Sequence, residues 1–194
     1  MKSLLTNPSF IFITGGVRSG KSSFAERMAE KMAQETGGVL TYFATGVSTD
    51  HEMAIRIEKH QRDRQTAKQP WRTIEHSTRI ETAAPQIGSN DIILLDCVTT
   101  LLNNELFSEQ DVWDEKFLKK VKRTILTGIH CIKSRAKAMI VVSNEVLNEP
   151  IFGNELVFTY ARLLGQIHQH LVKEADHAYL IEAGIPILMK GAEK

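Results

Sequence analysis

The sequence lacks the features that mark several classes of protein. It has only two cysteines, Cys97 and Cys131, which are too few for a disulfide framework and do not belong to a metal-binding cluster. Its 24 basic and 23 acidic residues leave a formal net charge of +1, which indicates no basic surface for nucleic acid or an anionic membrane. The sequence contains no apolar run long enough to span a membrane, and its first ten residues do not form a signal peptide. We therefore expect a cytoplasmic protein that neither binds nucleic acid nor inserts into a membrane.

Apolar runs alternate with segments of helical periodicity along the chain. Runs rich in β-branched and aromatic residues predict strands at 10–14, 39–44, 71–76, 91–97, 138–146, 178–184 and 185–190. Apolar residues spaced three and four apart predict helices at 21–36, 51–64, 98–107, 111–134 and 155–175. Strands joined by helices of this length pair in parallel through crossovers. The sequence therefore predicts an α/β fold with a doubly wound, mostly parallel sheet and helices on both faces.

A glycine-rich segment follows the first predicted strand and precedes the first predicted helix. Residues 15–22, GGVRSGKS, match the pattern G-x-x-x-x-G-K-[ST] in the context that the pattern requires. Its glycines let backbone N–H groups turn inward around phosphates, and the positive end of the following helix adds to the attraction. The residues predicted to contact the nucleotide here are Gly15, Gly16, Val17, Arg18, Ser19, Gly20, Lys21 and Ser22. The alternative, a glycine turn followed by a chance lysine, is disfavoured because every position of the pattern is matched.

The loop and a later strand together suggest one charged contact to the phosphates and two metal ligands. Lys21 is predicted to hold the β- and γ-phosphates as a point charge, and the Ser22 hydroxyl is predicted to ligate Mg²⁺. Asp96 ends a strongly apolar strand, where folds of this kind hold the metal, and is the second predicted ligand. Without the loop, Asp96 would be interpreted as a strand-end cap. Since kinases, GTPases, motors and regulators share such a loop, the loop does not name the reaction.

The length of 194 residues is that of one domain. We predict a single P-loop nucleotide-binding domain of the RecA-like type over residues 1–194. Only residues 51–76, which are rich in acidic and basic side chains, have the composition of an insertion. We expect them to add a charged helix and a strand near the nucleotide.

Further segments narrow the class of nucleotide-binding protein. They are ATGVSTDHEMAIRIEKH at 44–60, WRTIE at 71–75, LLDCVTTLLNNEL at 94–106 and VVSNEV at 141–146. With the loop, and in this order, they resemble the bifunctional adenosylcobinamide kinase/adenosylcobinamide-phosphate guanylyltransferases of cobalamin assembly. The resemblance extends from residue 12 to residue 191. An ordered set of specific segments is a more discriminating signal than the loop alone.

The resemblance implies two reactions at one nucleotide site. In the first, ATP or GTP phosphorylates the aminopropanol hydroxyl of adenosylcobinamide. In the second, GMP passes from GTP to that phosphate through a histidine–GMP intermediate, and pyrophosphate leaves. A neutral imidazole that attacks the α-phosphorus forms a P–N bond that the acceptor phosphate can break. The resemblance also implies Mg²⁺, a corrinoid substrate, and a homo-oligomer, a trimer with active sites between subunits.

The resemblance assigns the nucleophile as well. His60, in RIEKH, occupies the histidine position of the family and is predicted to be catalytic together with Lys21. His51 is the rival, but a separation of nine residues puts the two side chains about 180° apart on a helix, so only one can face the nucleotide. His168 and His170 are assigned to the surface and packing of the last helix.

Other positions are assigned to the nucleotide by the same resemblance. Ala44, Thr45 and Gly46 resemble the loop that packs on guanosine, and Glu75 resembles the acidic residue near the sugar or base. The segment that contacts GTP after His60 comprises Gln61, Arg62, Asp63 and Arg64. For its two arginines, a solvated charged face is an equally good interpretation. Arg18 is predicted either to steady the transferring phosphate charge or to hold the loop against a neighbouring chain.

The sequence departs from the family pattern after Val146, where LNEPIFG replaces a run containing glycines. It also departs at His51 and His168. These positions are where a corrinoid or a neighbouring subunit is expected, so the acceptor and the retention of both activities stay open. Two other functions also stay open: a P-loop kinase of another small alcohol, and a RecA-like nucleotide-dependent regulatory module that acts through a partner.

Overall fold

The computed structural model describes residues 9–46, 69–108, 112–145 and 155–191. The strands are Ser9–Gly15 (β1), Val39–Ala44 (β2), Arg72–Glu75 (β3), Asp91–Asp96 (β4), Ala138–Asn144 (β5), His177–Glu182 (β6) and Ile185–Lys190 (β7). The α-helices are Lys21–Thr36 (α1), Val98–Phe107 (α2), Glu115–Lys133 (α3) and Glu155–Glu174 (α4), and a 3-10 helix covers Ile80–Gln86. No helix within these ranges has the length and apolar character needed to cross a membrane.

The strands form one sheet in the order β3-β2-β4-β5-β1-β6-β7. Every neighbouring pair from β3 to β6 is parallel, and only β7 runs antiparallel, beside β6. Because parallel neighbours share one direction, the carboxyl ends of β1 to β6 lie along a single edge of the sheet. This edge is where an open α/β sheet binds its ligands.

Side chains of the central strands are buried on both faces of the sheet. On one face, Ile92 and Leu94 of β4 pack with three fully buried alanines of α1, whose small size lets this helix approach the strands closely. On the other face, Ile93 and Leu95 pack with apolar residues of α2, α3, α4 and the 3-10 helix. The alternation follows from the two-residue period of a strand. The position of a residue in β4 or β5 therefore decides which face of the sheet its side chain is on, and this holds for the last residues of each strand as well.

The predicted fold class is confirmed, and so are the helices predicted within the described residues, to within a few positions. The helix predicted at 98–107 has those bounds, and the helix predicted at 111–134 is described over Glu115–Lys133. The strand predicted at 71–76 forms the edge strand β3, so this part of the expected insertion belongs to the sheet. The helix predicted at 51–64 lies outside the described residues.

Two local features were not predicted. The 3-10 helix over Ile80–Gln86 carries Pro85 inside it, and its short, irregular apolar pattern gives no clear periodicity. β7 turns back beside β6 through Ala183 and Gly184, which both have positive φ, 50° and 82°. This hairpin adds an antiparallel edge to an otherwise parallel sheet.

A buried carboxylate links the starts of two strands and the loop between the 3-10 helix and β4. Asp91, which is 4% exposed, accepts a hydrogen bond from Arg72 Nη2 at 2.6 Å and another from the Gly88 N–H at 2.7 Å. Through these bonds, the start of β4 holds the start of the edge strand β3 and the loop that precedes β4. The ion pair is partly shielded from water, so it contributes more than an exposed pair does.

We expect Asp91→Ala to lower the free energy of unfolding by about 2 kcal/mol, because the Arg72 guanidinium and the Gly88 N–H both lose their acceptor. The measurement is urea unfolding followed by circular dichroism. The control is Glu35→Ala, which removes an exposed ion pair with Lys31 at 4.0 Å and should leave the midpoint nearly unchanged. Equal midpoints for the two variants would contradict the role of Asp91.

Candidate nucleotide-binding site

The loop between β1 and α1 has the conformation that its glycines predict. Gly20, directly before α1, has φ 90°, and Arg18 also lies in the left-handed region, at φ 60°. The Ser19 N–H donates to the Gly16 carbonyl oxygen at 3.2 Å, which closes a turn. Left-handed residues at two points reverse the chain between a buried strand and a helix, so that the loop backbone curves at the sheet edge.

Lys21 begins α1 and lies over this loop. Its side chain is buried, with 7% of the residue exposed, and its Nζ donates to the Gly16 carbonyl oxygen at 3.0 Å. Ser22 follows in the first turn and is partly buried. The Ser19 hydroxyl is buried without a hydrogen-bond partner in the described part of the chain. The lysine and the two hydroxyls thus lie where the helix N-terminus already favours an anion.

Neighbouring strands fix the position of the loop from both sides. A Cβ on Gly15 would overlap the Ile181 carbonyl oxygen of β6 and lie 2.7 Å from Ser19 Oγ, so only glycine fits. The Gly184 N–H, in the β6–β7 turn, donates to the Ser19 carbonyl oxygen at 2.9 Å. On the opposite side, the Glu145 N–H donates to the Gly15 carbonyl oxygen at 2.9 Å.

Asp96 lies at the carboxyl end of β4, on the face of the sheet that packs against α1. Tyr42 of β2 donates its hydroxyl to Asp96 Oδ2 at 3.3 Å. β5 lies between β4 and β1, so the strands of Asp96 and Gly15 are about 10 Å apart. The structure thus brings the predicted metal carboxylate to the same edge and the same face as the loop.

The donors present at this edge suit Mg²⁺. Ser22 and Asp96 offer a hydroxyl and a carboxylate, the hard oxygen ligands that this ion prefers. Across the described ranges there is no group of three or more His, Cys, Asp or Glu side chains that could hold a metal ion. An ion that retains waters and phosphate oxygens, as Mg²⁺ does, needs no such group.

Thr45 takes a structural role in the segment that was predicted to pack on guanosine. It is fully buried, and its hydroxyl accepts from the Cys97 N–H and donates to the Cys97 carbonyl oxygen, both at 2.8 Å. Its own carbonyl oxygen accepts from Asn104 Nδ2 of α2 at 2.8 Å. Ala44 and Gly46 are partly exposed on either side. A nucleoside contact from this segment would therefore come from Ala44, Gly46 and the backbone rather than from the Thr45 side chain.

Glu75 lies exposed at the end of the edge strand β3. It forms one wall of a shallow cleft of about 470 Å³, which we call the edge cleft, lined by Glu75, His76, Ser77, Thr78, Arg79 and Thr82. β3 is four strands from β1, so the cleft is about 19 Å from the loop along the sheet. Glu75 and the loop therefore occupy the two ends of one elongated edge.

A buried polar chain lies behind this edge, on the face of the sheet opposite α1. His168 of α4 is 7% exposed, and its Nε2 is 2.7 Å from Ser143 Oγ. Ser143 Oγ lies 3.0 Å from the Thr99 hydroxyl, which accepts from the Asn144 N–H at 2.8 Å. Burial lowers the pKa of His168 from 6.5 to about 4. The chain joins the first turn of α2 and the end of β5 to α4.

The histidines of the last helix thus differ in environment. His168 is buried in the packing, whereas His170 remains on the surface and lies 3.0 Å from Glu174. Sequence reasoning did not single out Thr99, Ser143 or Asn104, although all three fall in the quoted segments LLDCVTTLLNNEL and VVSNEV. The available signal was the presence of hydroxyl and amide residues at the end of one strongly apolar strand and in the helix that follows another.

Several predicted site residues lie outside the described residues. They are the proposed nucleophile His60, its rival His51, and the following segment Gln61, Arg62, Asp63 and Arg64. Their assignment stays a prediction. Arg18 and Val17 are exposed on the loop.

A buried strand, a glycine loop with a buried lysine, a helix and an aspartate on a nearby strand define a P-loop nucleotide-binding protein of the α/β class. The fold is similar to that of a KaiC-like protein from Pyrococcus horikoshii OT3, with a TM-score of 0.51 at 12% identity, covering 95% of this chain and 80% of that one. At this level of identity the likeness shows the fold alone.

Comparison of sequences then defines the family. Residues 11–189 match the model of the family described as cobinamide kinase / cobinamide phosphate guanyltransferase. The chain is 32% identical over 187 residues to the bifunctional adenosylcobalamin biosynthesis protein CobU of Escherichia coli K12, covering 93% of this chain and 99% of that one. It is 32% identical over 182 residues to CobP of Pseudomonas aeruginosa PAO1, covering 92% and 96%. The chain belongs to this family, whose reactions are those of transferases.

We expect Thr45→Val to lower the free energy of unfolding by about 2 kcal/mol, because the buried Cys97 N–H loses its acceptor and the Cys97 carbonyl oxygen keeps only the Leu101 N–H as a donor. The matched control is Thr45→Ser, which keeps the hydroxyl and should retain most of the stability. Urea unfolding measures both variants. A weaker GTP affinity in Thr45→Val with unchanged stability would instead indicate a direct contact with the nucleotide.

We also expect stability to fall in acid because of His168. The pKa of this histidine is lower in the folded state, about 4, than its ordinary value near 6.5, so the unfolded chain binds the proton first as pH falls. The loss begins near pH 6.5 and amounts to about 2 kcal/mol at pH 5. His168→Asn should remove this part of the pH dependence, while the control His170→Asn should retain it. Parallel stability curves for wild type and His168→Asn between pH 7 and 5 would refute the assignment.

Proposed function

We propose that this protein is a bifunctional transferase of cobalamin assembly that phosphorylates adenosylcobinamide and then transfers GMP from GTP to the product. The observation that carries the proposal is the P-loop, with Lys21 buried over it, in a chain that matches the cobinamide kinase family from residue 11 to residue 189. The relatives named bifunctional, which the chain covers almost completely, support both activities.

In the first reaction, the loop binds ATP or GTP by its phosphates. The backbone N–H groups of the loop and the Lys21 ammonium hold the β- and γ-phosphates and stabilise the charge that develops as the γ-phosphoryl group transfers. Ser22 and Asp96 are the residues that would hold Mg²⁺, which would neutralise the negative charge of the phosphates. The acceptor hydroxyl loses its proton and its oxygen forms a new bond to the γ-phosphorus. The bond from the γ-phosphorus to the β–γ bridging oxygen breaks, and the nucleoside diphosphate is the second product.

In the second reaction, the same loop binds the triphosphate of GTP, but the reaction takes place at the α-phosphorus. The imidazole of His60 attacks this phosphorus, a P–N bond forms, and pyrophosphate leaves. The phosphate of the acceptor then attacks the same phosphorus, the P–N bond breaks, and adenosylcobinamide-GDP and free histidine result. Holding the departing phosphates on the loop keeps the α-phosphorus in line with the nucleophile.

We further propose that the protein works as a homo-oligomer, a trimer, in the cytoplasm. Large apolar side chains are exposed near the loop and along the hairpin that contacts it: Val17, Ile185, Ile187 and Met189. Exposed large apolar side chains of this kind favour burial against another chain. The cytoplasm is where ATP and GTP are supplied.

Intact-mass spectrometry after incubation with GTP and Mg²⁺ tests the proposal. We expect wild type to gain the mass of one GMP and His60→Ala to gain none. Lys21→Met should abolish both the adduct and cobinamide phosphorylation, because the triphosphate loses its main charged contact. The matched control is His170→Ala, an exposed histidine of α4, which should form the adduct as wild type does.

Other outcomes would redirect the assignment. An adduct that survives in His60→Ala would move the nucleophile to another histidine, with His51 examined first. GTP binding without any adduct in wild type would contradict the guanylyltransferase reaction. If the protein then still phosphorylated adenosylcobinamide, it would be a cobinamide kinase only. If it did not phosphorylate adenosylcobinamide either, it would be a kinase of another alcohol or a regulatory module.

A further inference from the structure

The central strand β5 ends in an asparagine at the carboxyl edge of the sheet. β5 pairs with β1 on one side and with β4 on the other. Its last residue, Asn144, therefore lies between the strand that leads into the phosphate loop and the strand that ends in Asp96. None of the steps of the proposed function uses Asn144, although it belongs to the segment VVSNEV.

The Asn144 side chain belongs to the face of the sheet that packs against α1. Along β5, Ala138, Ile140 and Val142 pack in the apolar cluster on this face. Asn144 follows at the next position of the two-residue period. Asp96 has the corresponding place in β4, since the apolar residues before it on this face belong to the same cluster. Each of the two central strands thus ends its apolar row on this face with a polar side chain.

The register of the sheet puts Asn144 directly beside the phosphate loop. Its Cα pairs with that of Gly15, and paired residues of neighbouring parallel strands lie about 5 Å apart with their side chains on the same face. On that face, a Cβ at Gly15 would lie 2.7 Å from Ser19 Oγ, so the loop passes close over the end of β1. A side chain at position 144 therefore borders the loop on the side that faces β4.

Asp96 borders the same space from the other side. Asp96 pairs with Val142, so Asn144 lies one two-residue step, about 7 Å, further along the strand direction. The carboxamide of Asn144 is thus at the outer boundary of the space between the loop and Asp96. Lys21, which is buried over the loop, begins the helix on this face. A phosphate held by the loop and Lys21 would have the Asn144 carboxamide beside it.

Hydrogen bonds on both sides hold the end of β5 in place. The Asn144 N–H donates to the Thr99 hydroxyl at 2.8 Å, and the Glu145 N–H donates to the Gly15 carbonyl oxygen at 2.9 Å. The Thr99 hydroxyl in turn lies 3.0 Å from Ser143 Oγ, in the buried polar chain behind the edge. Because the backbone is fixed in this way, the side chain at 144 is presented from a defined position. A preorganised donor loses little freedom when a ligand binds.

A carboxamide suits this position because it donates hydrogen bonds without carrying charge. The loop, the N-terminus of α1 and Lys21 already supply positive potential for a phosphate. An amide N–H adds a directed bond to a charged oxygen, which is stronger than a bond between neutral groups. A side-chain cap for the strand end is not needed, since the N–H groups at 144 and 145 already have acceptors in Thr99 and Gly15.

We propose that the Asn144 carboxamide donates an N–H to an oxygen of the β- or γ-phosphate that the loop holds, which makes Asn144 a further nucleotide-binding residue. This inference rests on the proposed function, because it takes the triphosphate to lie on the loop. In the second reaction these two phosphates leave as pyrophosphate, so pyrophosphate bound alone keeps the contact. No covalent bond to Asn144 forms or breaks.

Binding measurements test the contact without depending on turnover. Calorimetry gives the affinity of wild type, Asn144→Ala and Asn144→Asp for GTP in the presence of Mg²⁺, and competition against GTP gives the affinity for pyrophosphate. Asn144→Asp retains the size of the side chain but replaces its donor with a carboxylate. The matched control is Asn103→Asp, which makes the same change at an exposed position of α2. Thermal unfolding of each variant checks that the fold is retained.

We expect Asn144→Ala to bind both GTP and pyrophosphate about tenfold more weakly than wild type, because a hydrogen bond to a charged oxygen is lost. Asn144→Asp should bind both more weakly still, since a carboxylate repels phosphate. Asn103→Asp should match wild type for both ligands.

Four results would overturn the inference. Wild-type GTP affinity in Asn144→Ala would overturn it alone. Affinity restored in Asn144→Asp would overturn it in favour of a metal ligand at this position. A loss confined to GTP, with pyrophosphate unaffected, would overturn it in favour of a contact with the α-phosphate or the nucleoside. Absence of GTP binding in wild type would overturn the proposed function and this inference together.

Discussion

The close approach of β1 and β6 is the constraint on which the candidate site depends. The end of β1 lies so near the Ile181 carbonyl oxygen that only glycine fits at position 15. The hairpin that begins with β6 then reaches the loop through the hydrogen bond from Gly184 to Ser19. Together with the bond from Glu145 to Gly15, these contacts hold the loop backbone at the sheet edge before any ligand binds. A phosphate site built from backbone N–H groups works only if that backbone is already in place.

The two faces of the sheet carry different kinds of residue: one carries the candidate metal ligand Asp96, and the other carries buried polar residues that support the edge. In β4, Asp96 and every second residue before it face α1, the helix that follows the phosphate loop. The residues between them face α2, α3 and α4. On the supporting face, the chain of Thr99, Ser143 and His168 satisfies polar groups behind the edge. On the same edge, Thr45 binds both backbone groups of Cys97, so the residue after Asp96 is held in place. Buried polar groups satisfied in this way make the edge rigid.

The arrangement suits two transfers on one nucleotide. In the proposed second reaction the loop at β1 holds the phosphates that leave, and the edge cleft at β3 lies four strands away, beyond the segment predicted for the nucleoside. Asn104 of α2 joins the two segments at the cleft end, because its Nδ2 donates to the carbonyl oxygens of both Thr45 and Ser77.

The sequence by itself determined the fold class, the phosphate loop and the family, because each depends on local order: periodicity, a strand–glycine–helix sequence and segments in a fixed succession. It also placed Lys21, Ser22 and Asp96 at one edge, since parallel strands end together. Only the tertiary structure decided which side chains support that edge. Three hydrogen bonds join residues far apart in the chain: His168 to Ser143, the Cys97 N–H to the Thr45 hydroxyl, and the Arg79 N–H to Glu105. Such contacts depend on strand order and helix packing, which no local pattern encodes.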